Sequence, residues 1–145
     1  MRFFIYSLTQ RNYSEKIGKD TDNEYFDELK AELSPEFAIM GLVKVVGDLA
    51  YIVVDASVYD FHAIFYHELG HVKFGRWNGT RFDYASEYRA DAYAAKLVGK
   101  QQMIRVLDKL CARLRKQNSY AGCFGYVQTI KELQSRINKL KYTQI

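Results

Sequence analysis

The distribution of hydrophobic residues changes near residue 60, and the two parts of the chain favour different secondary structure. Before that point, Arg2 to Leu8 is rich in Phe, Ile and Tyr, which pack well on a pleated sheet and predict a strand. Met40 to Val46 and Leu49 to Val54 are apolar, β-branched runs separated by Gly47-Asp48, a pair typical of a hairpin turn. The N-terminal part is therefore predicted to form a small sheet.

Helical patterns account for most of the remaining chain. Asp22 to Leu33 is predicted as a helix, because acidic residues occupy its first turn and a proline follows it. Phe61 to Phe74 and Tyr84 to Val98 are two more helices, each followed by a glycine that can end it. Two amphipathic helices follow. The apolar face of the first consists of Met103, Ile104, Leu107, Leu110, Cys111 and Leu114. The apolar face of the second consists of Tyr126, Ile130, Leu133, Ile137 and Leu140. Everything after Asp60 is thus predicted to be helical, and the fold class α+β.

Length and composition indicate one domain. The chain has 145 residues, 48% of them hydrophobic, which is enough for one ordinary core. It contains no repeats and no Pro/Gly-rich linker. Within the domain we distinguish residues 1–59 as sheet and helix, 60–99 as two helices with candidate chemistry, and 100–145 as a basic helical tail.

The chain carries no segment typical of secretion or membrane insertion. The apolar run in Met1 to Leu8 is too short for a signal peptide, and no stretch approaches the roughly 18 apolar residues of a membrane helix. We therefore expect a cytoplasmic protein without a membrane partner. In that compartment Cys111 and Cys123 are expected to be reduced thiols.

Charge is distributed unevenly along the chain. The formal net charge is +4, but residues 100–145 carry 10 Lys and Arg against 2 Asp and Glu, whereas residues 1–99 carry 11 against 15. A basic tail can bind nucleic acid weakly and without sequence preference, or contact an acidic partner. A solvated, Lys-rich and Arg-rich helix surface is the simpler interpretation.

The first of the two central helices carries a metal-binding pattern, His67-Glu68-Leu69-Gly70-His71. On a helix, His67 and His71 are one turn apart and about 40° apart around the axis, so both imidazoles can point at one ion. Glu68 lies beside them, within reach of a water bound to that ion, and can act as general base. Zinc suits nitrogen and carboxylate ligands and lowers the pKa of its bound water to about 7.

The next helix offers the third ligand. Glu87 lies near its start, and an Asn-Gly turn between the helices would let the second fold back on the first. Asp91, one turn further along, can accept a hydrogen bond from a ligand histidine and fix its tautomer. The predicted metal ligands are therefore His67, His71 and Glu87, with Glu68 as the catalytic residue and Asp91 in support.

These motifs resemble those of a known peptidase family. His-Glu-Leu-Gly-His followed by Glu-Tyr-Arg-Ala-Asp-Ala-Tyr-Ala-Ala-Lys-Leu-Val-Gly is similar to the core of gluzincin peptidases of the HtpX and CAAX-prenyl-protease type, and the small size resembles the minigluzincins; the resemblance covers about residues 60–115. It implies a zincin-like fold, one zinc ion, and a role for Asp91 in supporting a histidine ligand. It also implies that the strand before the active-site helix, here Leu49 to Val54, lies at the cleft edge and binds substrate by strand addition.

Two classes of function follow from these residues; a third, a nucleic-acid-binding module that uses the basic tail, lacks any recognised DNA-binding or RNA-binding motif. The first is a zinc metallopeptidase that hydrolyses peptide bonds in a protein or peptide substrate. The second is a zinc-stabilised interaction or regulatory protein, of phage or mobile-element type, that binds a host protein without essential proteolysis. Retention of Glu68 favours the enzyme, because a structural zinc site needs ligands but no base. The substrate-binding residues stay unassigned, and the candidates for stabilising an oxyanion are Tyr88, Arg89, Tyr93, Tyr120 and Tyr126.

Overall fold

The computed structural model describes residues 2–10, 13–17, 41–54, 60–74, 84–117, 121–123 and 126–144. Its strands are β1 (Arg2–Gln10), β2 (Tyr13–Ile17), β3 (Gly41–Val46), β4 (Leu49–Val54), β5 (Ala121–Cys123) and β6 (Tyr126–Gln128). Its helices are α1 (Phe61–Phe74), α2 (Tyr84–Val98), α3 (Lys100–Gln117) and α4 (Ile130–Tyr142). The α+β class is confirmed, while the predicted helix Asp22 to Leu33 lies outside the described residues.

The first four strands form one mixed sheet in the order β2-β1-β4-β3. β1 runs parallel to β4 and antiparallel to β2, and β3 pairs antiparallel with β4. The predicted hairpin between β3 and β4 is confirmed: Gly47 adopts a φ of 61°, which glycine tolerates at no steric cost. β2 was not predicted, because Tyr13–Ile17 includes two charged residues and lacks the apolar alternation of a half-buried strand.

Capping residues mark the start of α1 and the boundary between α2 and α3. Asp60 starts α1, since its Oδ1 accepts a hydrogen bond of 2.9 Å from the Ala63 amide. Gly99, with a φ of 106°, separates α2 from α3, and its carbonyl accepts a 3.2 Å hydrogen bond from the Met103 amide. α1 packs on β3 and β4 and also against α2, which in turn contacts α3 and α4. The His67–His71 segment thus lies between the sheet and α2.

The core joins the sheet to all four helices. The predicted apolar face of α3 is confirmed, since Met103, Leu107 and Leu110 are buried together with side chains of α4. Further buried members are Val43, Ile52, Val54, Ala63, Ile64, Ala94, Ala95, Ile104, Val106, Cys111, Leu114, Leu133, Ile137 and Leu140. Cys111 is a free thiol, as expected. Among the described residues, no helix combines the length and apolar character needed to cross a bilayer.

The prediction that everything after Asp60 is helical was wrong between α3 and α4. β5 and β6 pair there as a short antiparallel hairpin, and Tyr126 belongs to β6 rather than to the fourth helix. The last helix begins after Thr129, whose hydroxyl oxygen accepts a 3.1 Å hydrogen bond from the Glu132 amide. This N-cap stops the helix from extending back to Tyr126.

Candidate metal centre

The three predicted ligands converge in the structure. His67 and His71 lie one turn apart on α1, and Glu87 reaches them from α2; all three side chains are buried. Nε2 of His67 lies 3.2 Å from Oε2 of Glu87, and Nε2 of His71 lies 3.2 Å from Oε1 of the same carboxylate. The three ligand atoms lie within 4.8 Å of one another. They form a buried group that can hold a metal ion.

Close approach of the two helices makes this convergence geometrically feasible. Gly70 faces α2, and a Cβ atom placed on it would lie 3.0 Å from Cα of Ala90 and 3.3 Å from the side chain of Tyr93. Ala90 and Ala94 are fully buried at the same interface. Small side chains on both helices therefore allow the Glu87 carboxylate to reach the two imidazoles.

The spacing of the donor atoms fits a small divalent cation. A tetrahedron whose corners lie about 2.05 Å from its centre has edges of about 3.3 Å, and these are the distances that zinc sites with His and carboxylate ligands require. The two nitrogen-to-oxygen contacts of 3.2 Å are close to that edge, although each histidine contacts a different oxygen of Glu87 and the three ligand atoms spread over as much as 4.8 Å. The donor set is two imidazole nitrogens and one carboxylate, which leaves a fourth position for water or substrate.

Arg136 of α4 belongs to the same buried cluster, although the sequence analysis did not single it out. Its Nε and Nη2 donate hydrogen bonds of 2.7 Å each to Oδ2 and Oδ1 of Asp91. Its Nη2 also lies 3.3 Å from Oε2 of Glu87. The guanidinium is fully buried, so the two carboxylates offset the high cost of removing its charge from water.

A signal for Arg136 is present in the sequence pattern. The buried residues of α4 are Leu133, Arg136, Ile137 and Leu140, so the arginine occupies a position on the apolar stripe. An arginine at such a position predicts a buried carboxylate partner, because a lone buried charge is too costly. The basic residues of this segment were interpreted as a solvated surface, so a buried role for Arg136 was not predicted.

Asp91 lies against His67, the histidine that it was predicted to support, but the predicted hydrogen bond is not aligned. Its Oδ1 lies 3.0 Å from Nδ1 of His67, and both side chains are almost completely buried. The carboxylate oxygen lies off the N–H direction, so this is a close charged contact rather than an aligned hydrogen bond. The contact orients the ring with Nε2 towards Glu87.

The charged neighbours determine the protonation of this cluster. Burial lowers the pKa of His67, but the carboxylates of Asp91 and Glu87 outweigh burial and raise it to about 10. Burial raises the pKa of Glu87, yet His71 and Arg136 bring it well below its usual range. The pKa of Asp91 is likewise lowered, because Arg136 outweighs the effect of burial. Both carboxylates are therefore anionic at neutral pH.

Glu68 is buried beside this cluster and against the sheet. A Cβ atom on Gly41 would lie 3.4 Å from Cγ of Glu68 and 2.8 Å from Cγ2 of Ile64, so glycine at the start of β3 leaves the space that the glutamate occupies. Burial raises the pKa of Glu68, which His67 and His71 offset only in part.

Three of the five candidates for oxyanion stabilisation lie away from the cluster. Tyr88, Arg89 and Tyr93 line a groove on the face of α2 opposite to Glu87 and Asp91. The hydroxyl of Tyr88 contacts the hydroxyl of Thr143 instead. Tyr120 and the side chain of Tyr126 lie outside the described residues, as does the turn that follows α1.

The strand expected at the cleft edge is in the interior of the sheet. β4 pairs with β1 on one side and β3 on the other, so its backbone groups already have partners. Among the described strands, β3 ends the sheet on the side next to α1, and its first residue, Gly41, touches Glu68. The expectation that Leu49 to Val54 binds substrate by strand addition was therefore wrong, because a strand needs an unpaired edge to accept another strand.

Comparisons with known proteins identify no relative from which a function could be inferred. No family model, curated protein or solved structure matches the chain.

Proposed function

We propose that this protein is a zinc metallopeptidase with a zincin-like fold, which hydrolyses peptide bonds in a protein or peptide substrate. The observation that carries the proposal is the convergence of His67, His71 and Glu87, with Glu68 buried beside them. A structural metal site would need the three ligands alone. A buried, otherwise costly glutamate at the same place is what a hydrolytic site needs.

The charges of the buried cluster support a divalent cation. Three carboxylates, Glu68, Glu87 and Asp91, lie in it beside one guanidinium, Arg136. Without a metal, the protonated imidazole of His67 offsets part of the negative charge. Metal binding requires both imidazoles to be neutral, and with all three carboxylates ionised the cluster then has two negative charges in excess. A divalent ion neutralises that excess, and zinc is favoured because two imidazoles and a carboxylate are its usual ligands at catalytic sites. When bound, zinc acts as a Lewis acid that polarises a carbonyl and acidifies a coordinated water.

Glu68 is the general base in this proposal. Burial shifts its pKa upwards, in the direction of neutral pH. A base with a pKa near the working pH can both accept a proton from water and return it to a leaving amine. Glu68 lies on α1 next to His67, whereas Glu87 already contacts both histidines. The two glutamates therefore have different roles, one as base and one as ligand.

Asp91 and Arg136 keep the ligand arrangement in place. Asp91 contacts Nδ1 of His67 and orients the ring, which leaves Nε2 as the atom that would hold the ion. Arg136 binds both oxygens of Asp91, which fixes that carboxylate and keeps it anionic. Neither residue needs to touch the substrate to affect hydrolysis.

β3 replaces β4 as the strand proposed to bind an extended substrate. Among the described strands its outer side has no partner, and Gly41 at its start lies next to Glu68, so a peptide paired with it would pass the proposed general base. Backbone pairing gives affinity with little dependence on side chains, which suits a peptidase of broad specificity.

The test combines metal analysis with a cleavage assay on a proteome-derived peptide library. We expect about one zinc per chain and cleavage that disappears in Glu68→Gln. If Glu68→Gln retains zinc and full biological activity while His71→Ala abolishes that activity, the protein is a zinc-stabilised binding protein instead. If the wild type takes up no zinc although it is folded, both functions fail.

A further inference from the structure

A groove on the opposite face of α2 from the metal centre is independent of the proposed function. It has a volume of about 810 Å³ and is lined by residues from the end of α1, the outer face of α2 and the chain after α4. This volume falls within the range of about 300–1,000 Å³ typical of ligand sites. The buried face of α2 carries Glu87 and Asp91, so a ligand in the groove would not contact the metal ligands.

The lining of this groove is apolar and aromatic. Phe74, Tyr88, Tyr93 and Leu97 contribute to it, and Phe74 and Leu97 are 44% and 52% exposed. The ring of Phe74 packs edge-on against that of Tyr93, with centroids 5.8 Å apart. Two neighbouring, half-exposed hydrophobic side chains favour binding of an apolar group.

The charges around the groove have one sign. Lys73, Arg89 and Lys96 line it, and no carboxylate does so among the described residues. Arg89 makes a long contact of 3.5 Å with the Ser86 hydroxyl, which does not neutralise its charge. The positive potential of three cations around an apolar floor is complementary to an acidic ligand.

Lysine ammonium groups lie close to three aromatic rings of the groove. Nζ of Lys73 lies 5.2 Å from the ring centroid of Tyr93 and 5.5 Å from that of Phe74. Nζ of Lys139 lies 4.3 Å from the centroid of Tyr88. Nucleobases bind single-stranded sites by stacking on open aromatic faces, and here an ammonium group competes for a face of each of these rings. Carboxylates, in contrast, can form ion pairs with these ammonium groups without displacing them from the rings.

We propose that this groove binds an acidic polypeptide segment of a partner protein, in which one aromatic or aliphatic side chain inserts between Phe74 and Leu97. Flanking Asp or Glu side chains pair with Lys73, Arg89 and Lys96. Apolar insertion supplies affinity, and the charges select an acidic sequence and orient it.

The experiment measures binding of the full-length protein to a short fluorescent peptide in which Glu residues surround one Phe. Two further peptides carry Ser in place of Phe or Lys in place of Glu. The test variants are Lys73→Glu/Lys96→Glu and Leu97→Ser. The matched control is Arg105→Glu/Lys116→Glu, which reverses two exposed charges of α3 outside the groove. Melting temperatures establish that each variant is folded.

We expect the Glu/Phe peptide to bind more tightly than either altered peptide, with an affinity that falls as salt is added. The double charge reversal in the groove weakens binding by about tenfold or more, and the control reversal changes it by less than about threefold. Equal weakening by both reversals, or no effect of Leu97→Ser, would overturn the proposal. Tighter binding of single-stranded oligo-dT, or of phosphatidylglycerol vesicles, than of the peptide would also overturn it.

Discussion

Arg136 and Asp91 form a two-point ion pair between α4 and α2, with both hydrogen bonds 2.7 Å long and both side chains fully buried. The pair couples the last helix to the candidate metal centre, because Asp91 also contacts His67. Part of the positive charge of the C-terminal third therefore serves the interior of the protein rather than its surface. This pair underlies the first prediction.

Replacing Arg136 should weaken both the fold and the metal site. Arg136→Met leaves Asp91 and Glu87 buried without their cation, so we expect the free energy of unfolding to fall by about 3–5 kcal/mol. Zinc affinity should fall by roughly 10–100-fold, as it does when residues that support a ligand are changed. Arg136→Lys should rescue only part of each loss, since an ammonium cannot form the planar, two-point contact. Denaturant titration and zinc competition measure the two effects, with the exposed Lys131→Met as control.

Glu68 and the ligands should be separable by mutation. Glu68→Gln is expected to remove nearly all proteolysis while leaving zinc content and melting temperature close to wild type, because the amide keeps the shape but cannot accept a proton. His71→Ala and Glu87→Ala should lose both zinc and stability, since metal binding favours the folded state. Asp91→Ala should fall between them, with zinc affinity reduced by about 10–100-fold. A Glu68→Gln protein with wild-type cleavage would contradict the assigned base.

Gly41 should tolerate no side chain. A Cβ atom there would lie 2.7 Å from the carbonyl oxygen of Val53 and 2.8 Å from Ile64, so Gly41→Ala forces β3 away from α1. We expect the free energy of unfolding to fall by about 1–3 kcal/mol. Peptide cleavage should fall more than zinc affinity, because the new methyl group would press on Glu68, the proposed base, and not on a predicted ligand. Gly47→Asn is the matched control: nothing lies within 4 Å of that position, and asparagine tolerates its positive φ. Similar losses in both variants would argue against a steric cause.

Cys111 should react slowly with alkylating reagents. Its side chain is 3% exposed, and burial raises the pKa of the thiol, an effect that Arg115 offsets only in part. Because the thiolate is the reactive form, a raised pKa leaves less of it at any pH than an ordinary cysteine has. In Cys123→Ser, iodoacetamide at pH 8 should modify Cys111 far more slowly than it does after unfolding in guanidinium. Rapid modification of the folded protein would mean that the core around α3 opens readily.

Local signals explain which elements could be predicted from the sequence. The turn at Gly47 and the boundary at Gly99 were predictable, because both positions need a backbone conformation that favours glycine. The convergence of His67 and His71 was predictable, because their spacing fixes their relative orientation on any helix. β2 and the β5–β6 hairpin were missed, since their pairing depends on partners and not on a local hydrophobic pattern.

Long-range contacts explain what the sequence could not reveal at the site. Arg136 lies 45 residues after Asp91, and no local pattern links the two. The order of the strands in the sheet is also non-local: β1 inserts next to β4, which places β4 in the interior and leaves β3 at the edge among the described strands. The residue types were visible in the sequence, but which of them meet is decided by tertiary packing.

The position of Arg136 also sets an order of events during protein synthesis. A ribosome releases His67, Glu87 and Asp91 well before the codon of Arg136 is read, so a nascent chain has the donor atoms without the guanidinium that balances them. Such a chain would bury carboxylates without their cation, which disfavours closure of α2 against α1. We therefore expect the candidate centre to be completed only after α4 has emerged, and a chain whose translation stops earlier to lack a finished centre.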